Sequence, residues 1–229
     1  LLKEMTARHG KSALRFSGTG RMGDASAWDL KLAADDLPMD DDLRKALPGS
    51  LASLIDNLRV GGRLSVAFDR LLYQTNGTGG TDVDFSVKLT LNQGLLEVGM
   101  SMSDVQGEVD LNGTVRNGKL AELHGAANLP KLKIAGRSSG NFRAQIDKSA
   151  GEPRVRLGKM QADLAGGDMA GQVEVAFPDD GPSSYAMSLL LRNASVAELA
   201  GEHEPELKGR LSASLDLEGN WDDPASRRG

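Results

Sequence analysis

The chain has 229 residues, 39% of them hydrophobic and only 4% aromatic, with 28 glycines, no cysteine and a formal charge of −5. An acidic chain without a basic stripe excludes a phosphate-neutralising nucleic-acid surface. The missing cysteines exclude a disulfide framework, a thiol nucleophile and a thiolate metal site.

A strand points successive side chains to opposite faces, so apolar residues at every second position mark a sheet with one dry and one wet face. Residues 12–17 and 28–34, the latter carrying Leu30 and Leu32, read as two strands around a Gly-rich turn. The period then changes. From Asp40 to Leu58 the residues Leu43, Leu47, Leu51, Leu54, Ile55 and Leu58 recur at helical spacing, predicting a helical insertion over 40–58. Asp40, Asp41 and Asp42 supply its N-cap and first-turn charge, and Pro48-Gly49-Ser50 divides it into two short helices. The buried side of this insertion is expected to lie against the apolar face of the sheet.

Beyond Gly61-Gly62 the pattern is strand-like throughout. Leu64, Val66 and Phe68 alternate, and Val83, Phe85, Val87, Leu89 and Leu91 form the longest stripe, with Asp84, Ser86, Lys88 and Thr90 opposite. Leu96 to Met102 follow, then Val109, Leu111 and Val115. Ile134, Phe142, Ala144, Ile146, Val155 and Leu157 continue more loosely. Val173, Val175 and Phe177 precede a Pro-Asp-Asp-Gly-Pro turn, and Met187, Leu189 and Leu191 follow it. The last strand is the clearest: Leu211, Ala213, Leu215 and Leu217 against Ser212, Ser214, Asp216 and Glu218. Turns every 8–12 residues or so predict a mainly β, antiparallel meander. The whole of 1–229 reads as a single segment, excised from a longer chain whose anchor or export signal lies elsewhere.

No constellation for catalysis or metal binding emerges. Gly18-Thr19-Gly20-Arg21-Met22-Gly23 matches a dinucleotide fingerprint by letter, but a strand follows it where the pyrophosphate needs a helix N-terminus, so it reads as a hairpin turn. His9, His124 and His203 sit in no ligand spacing, and the acidic 35–42 stretch lacks the calcium-loop pattern. Asp179-Asp180 and Asp222-Asp223 read as turn residues, and the Asn-x-Ser/Thr matches at Asn76, Asn112 and Asn193 as positions in or beside turns. The chain is therefore expected to be non-enzymatic and free of cofactors. Its candidate site is the apolar lining itself: Leu30, Leu32, Leu64, Val66, Phe68, Val83, Phe85, Val87, Leu89, Leu91, Val109, Leu111, Val173, Val175, Met187, Leu189, Leu191, Leu211, Leu215 and Leu217. That lining either closes on itself as an ordinary core or stays open as a binding surface.

Three segments bring in a family. Leu164-Ala165-Gly166-Gly167-Asp168-Met169-Ala170-Gly171-Gln172-Val173, the run Tyr185–Leu199, and Leu207–Gly219 with the following Asp222-Asp223-Pro224 resemble consecutive motifs of AsmA-like proteins. Asp36–Pro48 is similar to a segment of large bacterial members. The resemblance, which extends to TamB-like proteins, implies an elongated antiparallel sheet curved into an open, U-shaped groove. It implies a periplasmic protein of a Gram-negative-type bacterium, anchored in the inner membrane by a segment absent here. The implied partners are phospholipid acyl chains and flanking repeats of the same chain, and the implied role is lipid transfer between inner and outer membranes. The rival expectation is a non-enzymatic assembly factor that binds outer-membrane proteins through its sheet edges.

Overall fold

The structure, a computed structural model, describes residues 1–23, 25–46, 59–75, 80–97, 101–178, 181–201 and 207–220. Twelve strands form one antiparallel sheet whose spatial order is the chain order, with no pairing of the first strand to the last. They are β1 (Leu2–His9), β2 (Ser12–Arg21), β3 (Ala27–Pro38), β4 (Gly61–Thr75), β5 (Thr81–Glu97), β6 (Ser101–Arg116), β7 (Lys119–Ile134), β8 (Arg137–Lys148), β9 (Arg154–Leu164), β10 (Gly167–Ala176), β11 (Ser184–Ser195) and β12 (Arg210–Asn220). Among the described residues two short helices join them, α1 (Asp41–Ala46) after β3 and α2 (Val196–Ala200) after β11. In such a meander every second connection falls at the same end of the sheet, so both helices share one end. We call it the helix end and the opposite one the far end.

The helical window is borne out where it is described. Asp40 caps α1, its Oδ1 accepting from the Leu43 amide at 3.0 Å, and His9 Nε2 lies 2.9 Å from Asp40 Oδ2. Leu43 is half-buried. Residues 47–58, with the Pro-Gly-Ser break and the remaining leucines of that window, lie outside the described residues. Three elements differ from expectation. β1 and α2 were not foreseen, and β7 was seen only at Ile134, because Gly125, Ala126, Ala127 and Pro130 dilute its apolar signal. Gly18, Thr19, Gly20 and Arg21 are not a hairpin turn but the end of β2. The two glycines there face Leu30 and Trp28 across the β2–β3 ladder. A Cβ on Gly20 would come within 2.3 Å of two Trp28 ring carbons, so glycine is required by the close approach of the indole.

The sheet curls because its strands are bulged. Asp36, Gln93, Asp104, Asn141, Lys159 and Asn193 hold left-handed backbone with φ of 51–57° inside β3, β5, β6, β8, β9 and β11. Each sits at a register shift against a neighbouring strand. A bulge adds one residue, bends its strand and increases the twist. It also repairs the phase. Leu37 follows Ala34, Val105 follows Met102 and Ala194 follows Leu191 at a spacing of three, and Leu37, Val105 and Ala194 are all buried. In a regular strand, without the bulge, a residue at that spacing would turn to the wet face.

Side chains from adjacent strands pin several of these bulges. Arg63 Nη2 donates to Asp36 Oδ2 at 2.6 Å, Lys133 Nζ lies 2.8 Å from Asp104 Oδ2, and Ser212 Oγ accepts from the Asn193 amide at 3.1 Å. The Arg63 hydrogen bond lowers the Asp36 pKa and the Lys133 hydrogen bond lowers that of Asp104, each from the ordinary 3.8. A depressed carboxylate pKa contributes stability above its unfolded value, and that contribution is lost as the pH falls through the folded value. Carboxyl chemical shifts of Asp36 and Asp104 should therefore show midpoints below 3.8, and Arg63→Gln should return the Asp36 midpoint toward 3.8.

Candidate functional site

Directly paired residues in neighbouring strands share a face, so the ladder itself decides which candidate residues are brought together. One row crosses the whole sheet: Met5, Phe16, Leu32, Phe68, Val87, Leu111, Gly125, Ile146, Leu157, Val173, Met187 and Leu217. It contains no polar residue. A neighbouring row joins Val66, Leu89 and Val109, and others place Leu64 beside Leu91 and Val83 beside Val115. Leu30 pairs with Leu71 and through it with Phe85. Further along, Val175 faces Tyr185, Leu189 faces Leu215, and Leu191 and Leu211 lie on the same side. All twenty candidates thus occupy one face.

The other face is polar and laced with ion pairs. Arg116 Nη2 lies 2.8 Å from Asp84, Arg156 Nη2 2.7 Å from Glu174, and Lys88 Nζ 3.4 Å from Glu108. These are exposed pairs, worth well under about 1 kcal/mol each, and their role is to keep this face wet. Asn112 projects from the middle of β6 and Asn193 from a bulge of β11, so neither is a turn residue as expected, and Asn76 lies outside the described residues. His203, Asp179-Asp180 and Asp222-Asp223 also lie outside them.

The apolar face is not equally covered along its length. Between β6 and β11 it closes on itself: Met102, Val105, Leu129, Leu132, Ile134, Phe142, Met160, Met169, Val173, Val175, Met187 and Leu189 belong to one buried cluster. Met102 on β6 and Met187 on β11 line the same cavity, which holds only about 10 Å³. Five interstrand steps of about 4.8 Å separate those strands along the sheet, so a shared cavity requires strong curvature. Over β2–β5 the same face is mostly half-buried: Leu30, Leu32, Val66, Phe68, Val83, Phe85, Leu89 and Leu91 keep part of their surface open. Leu64 and Val87, at 8% and 6% exposure, are the buried exceptions among the candidates there. On β12 the face reopens, with Leu211 42% and Leu215 46% exposed.

The expectation of a lining one layer deep therefore needs correction: of the candidates, Leu64, Val87, Val173, Val175, Met187 and Leu189 are buried and are not open groove positions. The last four belong to the cluster in which curvature brings opposing walls into contact. Sequence reasoning also missed members of the face. Leu71 escaped notice because a register shift after Phe68 breaks the alternation, and Met160 because the Lys159 bulge does the same.

Comparisons with family models, with curated proteins and with solved structures give no match. Among the described residues no group of three or more His, Asp or Glu could hold a metal ion, and no helix is long and apolar enough to cross a membrane.

The division between closed core and open wall is testable with two carboxylates. Val173→Asp buries an unpaired charge and should cost about 3 kcal/mol or more, lowering the denaturation midpoint severely or abolishing folding. Leu32→Asp, on the open wall, should keep the β-sheet circular dichroism and lose far less. Equal losses at the two sites would mean that the wall is as closed as the core.

Proposed function

We propose that this chain is a segment of a lipid-transfer conduit whose apolar face shields acyl chains. The observation that carries this reading is the apolar row across all twelve strands, backed by a polar face and left half-open over β2–β5. An acyl chain needs no catalytic group, only a continuous dry surface that excludes water along its length. The buried cluster within β6–β11, with its cavity of about 10 Å³, is too full to hold one, so the lipid-bearing part is the face outside that cluster, chiefly the β2–β5 wall. The resemblance to AsmA-like motifs supports the same reading, and with it we propose a periplasmic location, transport between inner and outer membranes and further repeats continuing the groove. No enzymatic step and no cofactor enters it.

The test is mass spectrometry of lipids carried by the purified chain. Phospholipid should be recovered from the native chain and should fall several-fold in Leu32→Asp and Phe68→Asp with the β signal retained. Recovery of no lipid, or the same amount from both variants, would count against the conduit.

One observation favours a second reading, addition of a partner strand. Among the described residues β12 pairs on one side only, carries no proline and no inward charge, and exposes Leu211 and Leu215. Edge strands without such protection are templates for strand pairing. If envelope proteins are the clients, Leu215→Lys should abolish their capture while leaving bound lipid unchanged.

A further inference from the structure

The chain is acidic overall, yet the paired positions of its dry face, among the described residues of β2–β12, carry only positive charge. Among the described residues of β2–β12, the inward register positions hold two cations, Arg137 and Lys148, and no carboxylate. Arg137, at the helix end, is committed: its Nη2 donates to the Ala200 carbonyl at 3.0 Å and its Nε to that of Leu199, holding the C-terminus of α2. Lys148 closes β8 at the far end. It faces Leu123, and its Nζ donates to the Ala121 carbonyl at 2.9 Å, one of the three donors an ammonium has. Glu152 and Glu122 are the carboxylates that act on it, and burial lowers its pKa.

A row leads away from this ammonium along the face: Leu123, Gly113, Phe85, Leu71, Leu30, Gly18 and Leu2. Seven interstrand steps of about 4.8 Å make it about 34 Å long. It begins on one charge and runs on through apolar residues and glycine, the pattern of an amphiphile's head and tail. A second feature marks the same end. Trp28, Tyr73 and Tyr185 all hold inward positions near the far-end turns. They include both tyrosines of the chain. Such side chains offer an apolar ring and a polar tip, which suits a boundary between dry and wet surroundings.

We propose that the far end of the sheet is a headgroup rim, where Lys148 binds the anionic head, carboxylate or phosphate, of an acyl amphiphile whose tail lies along the Leu123–Leu30 row. This rests on the acyl-chain reading above and adds to it a polarity across the strands: the head at β8 on the far-end rim, the tail running beside that rim toward β2. The remaining ammonium donors make charge-assisted hydrogen bonds to the head, and the apolar row shields the tail.

The experiment titrates dodecanoate, dodecyl phosphate and dodecanol into the 229-residue chain, its Lys148→Gln and Lys148→Arg variants, and Lys131→Gln as an outward-lysine control. Circular dichroism verifies that each is folded. Loss of one charge-assisted contact should weaken the anionic ligands about tenfold in Lys148→Gln. Dodecanol should be unaffected, Lys148→Arg should recover most of the loss, and Lys131→Gln should behave as the native chain. A loss for dodecyl phosphate alone would assign the site to phosphate heads, and a loss for dodecanoate alone to carboxylates. If all three ligands bind Lys148→Gln as they bind the native chain, the headgroup site is overturned and the acyl-chain reading stands. If none binds the native chain, both fall.

Discussion

The structure depends on keeping one face of a single sheet apolar across twelve strands. Alternation does this within a strand, but a long strand in a curled sheet must bend, and bending costs an extra residue. Each extra residue would reverse the faces beyond it if the apolar residues did not shift with it. They do shift, at Leu37, Val105 and Ala194. Curvature and patterning are therefore one property of this chain, fixed together by the bulges at Asp36, Asp104 and Asn193. Short polar side chains suit these positions because Asp and Asn tolerate the left-handed region better than branched residues.

How far the curl proceeds determines what the dry face can do. From β6 to β11 it brings opposing walls together, and four methionines fill the gap they leave. Methionine adapts to irregular spaces, which suits a core formed by folding a sheet over itself rather than by packing two sheets. Over β2–β5 the walls do not meet, and Leu30, Leu32 and Phe68 remain part-open. One patterned sheet thus supplies both its own stabilising core and a surface free to take an apolar guest.

Charge follows the same division. Carboxylates, arginines and lysines pair across the wet face in exposed, weakly stabilising contacts, while among the described residues of β2–β12 the dry face holds cations only at its two ends. At the helix end Arg137 is held by the Leu199 and Ala200 carbonyls at the end of α2. At the far end Lys148 has a backbone carbonyl and the field of Glu152 and Glu122. Two ends so differently finished give the face a direction that its apolar rows alone would lack.

The mainly β class, the meander and the identity of the apolar face were legible in the residues, because period two is a local property that each strand carries by itself. Leu211, Leu215 and the Val83–Leu91 stripe announced their face before any partner was known. The places where reading failed are those where the local period is broken or diluted: the step past Phe68, the Lys159 bulge, and β7 with its run of small residues. The glycines of β2 looked like a turn, because the demand for them comes from Trp28 on another strand. What only the tertiary structure decided is which part of the face is buried. Val87 and Leu89 read alike in sequence, yet Val87 is buried while Leu89 stays half-open. Burial at such sites is set by the neighbouring strands and the local curl of the sheet, which no single strand encodes.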